Sequence, residues 1–121
     1  MASTDRRNNV SPGLGMKAPV IAASTANLTL ESTQTIDGIG IKSNYRVLAK
    51  DQTDPIENGI WLCQAGSWVR EIDWNGLLDV KTGTAVMAAL GTVNGGKIFR
   101  VTSTSTAIEP GVSSVALSTT N

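Results

Sequence analysis

Apolar positions along this chain come in short runs that alternate with polar ones and are parted by turn-forming residues. Alternation with a period of two marks strands, whose successive side chains point to opposite faces. Asn27-Leu28-Thr29-Leu30 puts both leucines on one side, and residues 35–41 set Asp37-Gly38 between isoleucines, a tight-hairpin signal. Residues 45–50 read as a strand with Tyr45, Val47 and Ala49 on one face. A polar loop over 51–59 follows, in which Pro55 excludes a central strand. Residues 60–64 and 67–71 predict a hairpin turning at Ala65-Gly66. Residues 84–90, the most apolar run, lie between Gly83 and Gly91 and are the predicted sheet centre. In residues 97–102, Ile98, Arg100 and Thr102 oppose Phe99 and Val101, and residues 114–117 predict an edge strand. The one helical expectation is a short segment over 74–79. Strands at such short spacing predict an all-β fold, a small antiparallel β-sandwich or barrel.

Residues 1–19 break the pattern. They hold Arg6, Arg7, two asparagines, Pro12, Gly13, Gly15 and Pro19, with little to bury, and predict an extended N-terminal arm. The remainder, residues 20–121, predicts a single β domain with a Ser/Thr-rich C-terminal tail, since 121 residues leave no room for a second core. Arg6, Arg7 and Lys17 against Asp5 make the arm locally basic, which suits a contact laid across a neighbouring subunit.

Charge and composition narrow the chemistry. Ten basic and ten acidic residues cancel, so no global field steers the chain to nucleic acid or to an anionic membrane, and neither is expected as a partner. No apolar stretch reaches the roughly 18 residues of a membrane span, and residues 1–10 lack the apolar core of a signal peptide, so synthesis in the cytosol is expected. Histidine is absent, which removes imidazole metal sites and histidine-activated nucleophiles. The single cysteine, Cys63, reads as a buried, inert thiol. Asp51, Asp54 and Glu57 share one loop and raise a calcium site, but their spacing fits no EF-hand and suits a turn. Asp73 and Asp79 form a second acidic pair, close enough in sequence for Arg70 to neutralise either. Gly13-Leu14-Gly15 has no flanking strand and helix to make it a dinucleotide fingerprint. No cofactor, no metal and no enzymatic activity are expected; a carboxylate glycan hydrolase would have to use Asp51, Asp73 or Asp79. Trp61, Trp68 and Trp74 fall close together, where indoles fill a core or interface or, if exposed in a row, stack on sugars.

The wording of residues 45–74 adds a resemblance. Arg46-Val47-Leu48-Ala49-Lys50-Asp51-Gln52-Thr53, then Glu57-Asn58-Gly59-Ile60-Trp61, then Gly66-Ser67-Trp68-Val69-Arg70-Glu71-Ile72-Asp73 are similar to a β module of tailed-phage virion proteins with the order "RVLVKDQT", "ENGIY", "GxWxRAxD". Ala26-Asn27-Leu28-Thr29-Leu30 and Thr33-Gln34-Thr35-Ile36-Asp37-Gly38 resemble its opening, "ANITL" and "GTQTIDG", so the likeness spans about residues 20–102. Leu62-Cys63 departs from a common valine pair, and Asn75-Gly76-Leu77-Leu78 from a more acidic stretch. The resemblance implies a structural part of a virion without an active site. Standing almost alone between an arm and a tail, such a module implies a capsid decoration protein located in the virion. Its expected partners are the major capsid protein and further copies of itself, as dimer or trimer. The expected contacts are Arg6, Arg7, Lys17, Trp61, Trp68 and Trp74. The alternative is a tail-fibre or head-fibre module whose tryptophans bind host surface glycans.

Overall fold

The computed structural model of the chain describes residues 15–76, 78–104 and 108–119. Over these residues the protein is all-β. Its strands are β1 (Ala22–Ala23), β2 (Gln34–Ile36), β3 (Ile39–Ile41), β4 (Arg46–Ala49), β5 (Gly59–Leu62), β6 (Val69–Arg70), β7 (Ala85–Met87), β8 (Ile98–Val101) and β9 (Leu117–Thr119). Two single 3-10 turns, Pro55–Glu57 and Ile72–Trp74, interrupt them. No helix among the described residues is long and apolar enough to cross a membrane. The strands make three sheets, ordered β1-β4-β5-β6, β2-β3 and β7-β8-β9. Every strand pair is antiparallel, as the alternation predicts, except β1 with β4, which runs parallel.

That exception belongs to a segment which stitches two sheets together. Residues 16–20 lie parallel to β7 through bridges Met16 to Ala85 and Val20 to Ala88, and Val20 exchanges hydrogen bonds with Met87 and Ala89. One residue later the same segment turns its donors to β4: Ile21 N–H donates to Arg46 O at 2.8 Å and Ser24 N–H to Leu48 O at 2.9 Å. Residues 15–19 are therefore part of the folded domain, so the expected boundary after residue 19 moves upstream. Residues 1–14, with Arg6 and Arg7, lie outside the described residues.

The alternation seen in the sequence sorts side chains into two cores on either side of β1, β4 and β5. Ala23, Leu48 and Ile60 join Trp74, Val86, Phe99, Val101 and Val115 beneath the β7-β8-β9 sheet. Their neighbours Ala22, Val47 and Trp61 face the other way, toward Ile36, Ile41, Cys63 and Trp68 under the β2-β3 hairpin. A strand buried on both faces reads as an unbroken apolar run, and Val47-Leu48-Ala49 is one, each side chain fully buried. The hairpin forms as Asp37-Gly38 predicts. Both residues take positive φ, 52° and 81°, as a type I′ turn requires.

Four local expectations shift. Residues 27–30 make no ladder, although Leu28 and Leu30 both pack on the second core as their alternation predicts. The sheet centre is β4 with β5, not residues 84–90, whose strand β7 is shorter than the run. The predicted helix over 74–79 is replaced by the 3-10 turn that ends at Trp74. The C-terminal strand starts at Leu117, because the Ala116 N–H leaves the β8 ladder for the Ser103 hydroxyl.

Candidate functional site

The residues that carry the resemblance form one bracing network around the loop 51–59. Gln52 is buried, and its amide receives Leu28 N–H at 2.7 Å while donating to Leu28 O at 3.0 Å and to Glu57 Oε1 at 3.1 Å. That two-way grip holds the irregular residues 27–30 against the loop. Asn58, also buried, receives Gln52 N–H at 3.0 Å and donates to Val115 O at 2.8 Å, while Val115 N–H donates to Pro55 O. The loop thereby fastens the entry to β9 to the entry to β5. Asp54 starts the first 3-10 turn by receiving Ile56 N–H, as an N-cap does.

Arg70 closes the network. Its guanidinium donates to Asn58 O at 3.0 Å and Ile56 O at 2.7 Å and lies 4.3 Å from the Trp61 ring centroid. A planar fork that stacks and donates in its own plane suits this place as a lysine would not. Burial pushes the Arg70 pKa down to about 10, with Glu57 pulling it back up. The Trp61 indole donates to Glu57 O at 2.9 Å and that of Trp68 to Ser32 O, also 2.9 Å.

A second hub joins residues far apart in sequence. Arg46 meets both Asp73 carboxylate oxygens, at 3.1 and 3.0 Å, meets Glu71 at 3.0 Å, and donates to the carbonyls of Ala18 and Pro19. Burial works against its charge, but the hydrogen bonds and charges of Asp73 and Glu71 outweigh this and hold its pKa above the usual arginine value. The clasp joins β4, the end of β6 and the stitching segment. Arg70 accordingly does not serve Asp73 or Asp79, contrary to the sequence expectation. Asp79 instead receives the N–H groups of Asn75 and Gly76 at 3.0 and 2.9 Å.

Of the six expected contact residues, Arg6 and Arg7 lie outside the described residues. Lys17 is only 4% exposed, packed within its own chain; burial pushes its pKa down while Asp73 and Asp79 push it up. Trp74 and Trp68 are core residues, and Trp61 is half-buried with Arg70 over its ring. Three side chains expected at a contact are thus enclosed, and the indoles form no exposed row for sugars. The loop carboxylates are used singly: Asp51 meets Lys50 and Ser24, Asp54 caps its turn and Glu57 binds Gln52. No group of three potential metal ligands occurs among the described residues. Cys63 is buried, and burial pushes its thiol pKa up, away from the nucleophilic thiolate.

What faces solvent is of another kind. Ile72 and Leu78 are 78% and 80% exposed, and Val69 on β6 is half exposed, three apolar side chains within residues 69–78. Shallow depressions of about 280 Å³ beside Pro19, Ile21 and Tyr45, and of about 410 Å³ along Thr33, Thr35 and Lys42, indent the surface. Compared with known proteins, the chain matches no family model, no curated protein and no solved structure.

Proposed function

We propose that this chain is a structural protein of a tailed-phage virion, a capsid decoration protein that binds across major capsid subunits and stabilises the head. One observation supports the reading above others. The residues that resemble the virion module, Gln52, Asn58, Gly59, Trp61, Trp68 and Arg70, are spent on bracing the chain, each by a hydrogen bond, a ring contact or close packing. A module whose recurring residues make a rigid support fits a protein that works by holding others in place. Symmetric repetition of modest contacts then adds stability through avidity.

Contact falls to side chains that the fold leaves outside: Ile72, Leu78 and Val69, together with the basic residues 1–14. Residues 15–17 are bound into the domain, so a truncation that tests the arm has to stop before Gly15. The decisive measurement is the copy number in purified virions, by quantitative mass spectrometry against the major capsid protein. A ratio near one supports decoration, a handful of copies moves the chain to the tail or a fibre, and absence from the particle overturns the virion reading. Ile72→Asp is expected to lower that copy number while leaving the circular dichroism spectrum unchanged.

A further inference from the structure

The outer edge of β9 differs from the edges of β6 and β3. Thr102 N–H donates to Ala116 O at 2.8 Å, in register with the pair Arg100 and Ser118 two residues on. In an antiparallel ladder the bonded pairs alternate, so Ala116 and Ser118 face β8 while Val115, Leu117 and Thr119 turn their N–H and C=O groups outward. At Val115 both outward groups are satisfied, by Pro55 O and by the Asn58 side chain. At Leu117 and Thr119 no outward partner occurs among the described residues. Ser118 and Thr119 are exposed, whereas Leu117 is fixed against the core, so the open stretch is held in strand geometry by its inner side.

Proteins blunt such edges with charge, proline or a covering segment. Residues 113–119 contain no charged residue and no proline. At β6 and β3 such protections are present: residues 30–32 cover the approach to β6 through Ser32 N–H to Gly66 O and Trp68 N–H to Leu30 O, Arg70 and Glu71 charge its end, and Lys42 flanks β3. We infer that the β9 edge pairs with the β9 edge of a second copy, antiparallel about a twofold axis, which continues the β7-β8-β9 sheet across two chains. Self-pairing is favoured over an unrelated charged strand because a twofold ladder sets like residues near like, and only an uncharged strand does so without repulsion. The zero net charge removes long-range repulsion between copies as well. This inference is independent of the virion reading and is tested on the purified chain alone.

Sedimentation equilibrium of the native chain, of Thr119→Pro and of Ser118→Lys carries the test. Thr119→Pro removes an outward donor without touching the bonds to β8, and Ser118→Lys places like charges near one another. The native chain is expected to dimerise, with the dissociation constant raised roughly tenfold or more in Thr119→Pro, since each lost bond recurs by symmetry. A native chain that is monomeric at every concentration, or a dimer unmoved by both variants, overturns the inference. Hydrogen exchange of the native chain decides the matter even if a variant fails to fold: amides of Leu117 and Thr119 should gain protection with concentration, and fast exchange throughout would overturn the pairing.

Discussion

At Gly59 the backbone stands at φ 148°, and a Cβ built there would lie 2.5 Å from both Arg70 Nη1 and Trp74 Nε1. The guanidinium and the indole can approach only because there is no side chain. Gly59→Ala is therefore expected to destabilise the fold by about 3 kcal/mol, overpacking and backbone strain acting together. A lower urea midpoint at unchanged slope would record it. The Trp74 Nε1 beside it is buried without a hydrogen-bond partner among the described residues, a cost of about 1–3 kcal/mol that the buried indole has to offset by packing. Arg70→Lys should cost about 2 kcal/mol, because a single ammonium replaces two in-plane donors and loses the stack on Trp61. The lowered Arg70 pKa also has a pH signature. Folded at about 10, below its ordinary value in the unfolded chain, this group leaves the unfolded chain binding more protons above that pH, so its charge is carried at a cost that recedes only above pH 10. The stability difference between the native chain and Arg70→Gln should stay flat from about pH 6 to 9 and then shift in favour of the native chain.

Among elements, the hairpin and the long loop illustrate what a sequence can and cannot reveal. Asp37-Gly38 announces β2-β3 because a type I′ turn is a local device. Nothing local says that the Asp37 carboxylate also receives the N–H groups of Val93 and Asn94, at 2.9 and 2.8 Å, and so pins the 91–96 turn to the hairpin. Asp37→Gly keeps the positive φ at no strain and removes only this tether. It is expected to cost about 1.5 kcal/mol and to speed exchange at the Val93 and Asn94 amides selectively, without disturbing β4 or β5. The strands β4, β5, β6 and β8 were legible because each alternates or is flanked by a close turn. Residues 16–24 were not, since parallel pairing needs no adjacent turn and their partners β4 and β7 lie far along the chain. The Arg46 clasp was hidden for the same reason, its partners being distant in sequence. Residues 114–117 suggest a strand too early because Val115 has the composition of one, while the Ala116 N–H leaves the β8 ladder for the Ser103 hydroxyl.

For the molecule as a whole, the two larger sheets share the stitching segment and the core that holds Leu48, Ile60, Val86 and Phe99. They should therefore unfold as one unit. Hydrogen exchange ought to give the amides of Leu48 and Val86 the same opening free energy, and Val20→Ala should lower both equally, by roughly 1–3 kcal/mol. Two distinct values would mean that the sheets are separate cooperative units. The close spacing of strand signals anticipated the all-β architecture, while nothing in the spacing showed that the Trp68 and Trp74 indoles lie in the core. The stitching segment also determines how the molecule resists force. A pull applied at Gly15 runs along strands whose parallel neighbours, β7 and β4, lie on either side, so hydrogen bonds on both flanks are loaded in shear and must yield together rather than one after another. A fastening that enters the fold this way would withstand sudden tension better than one whose bonds open singly.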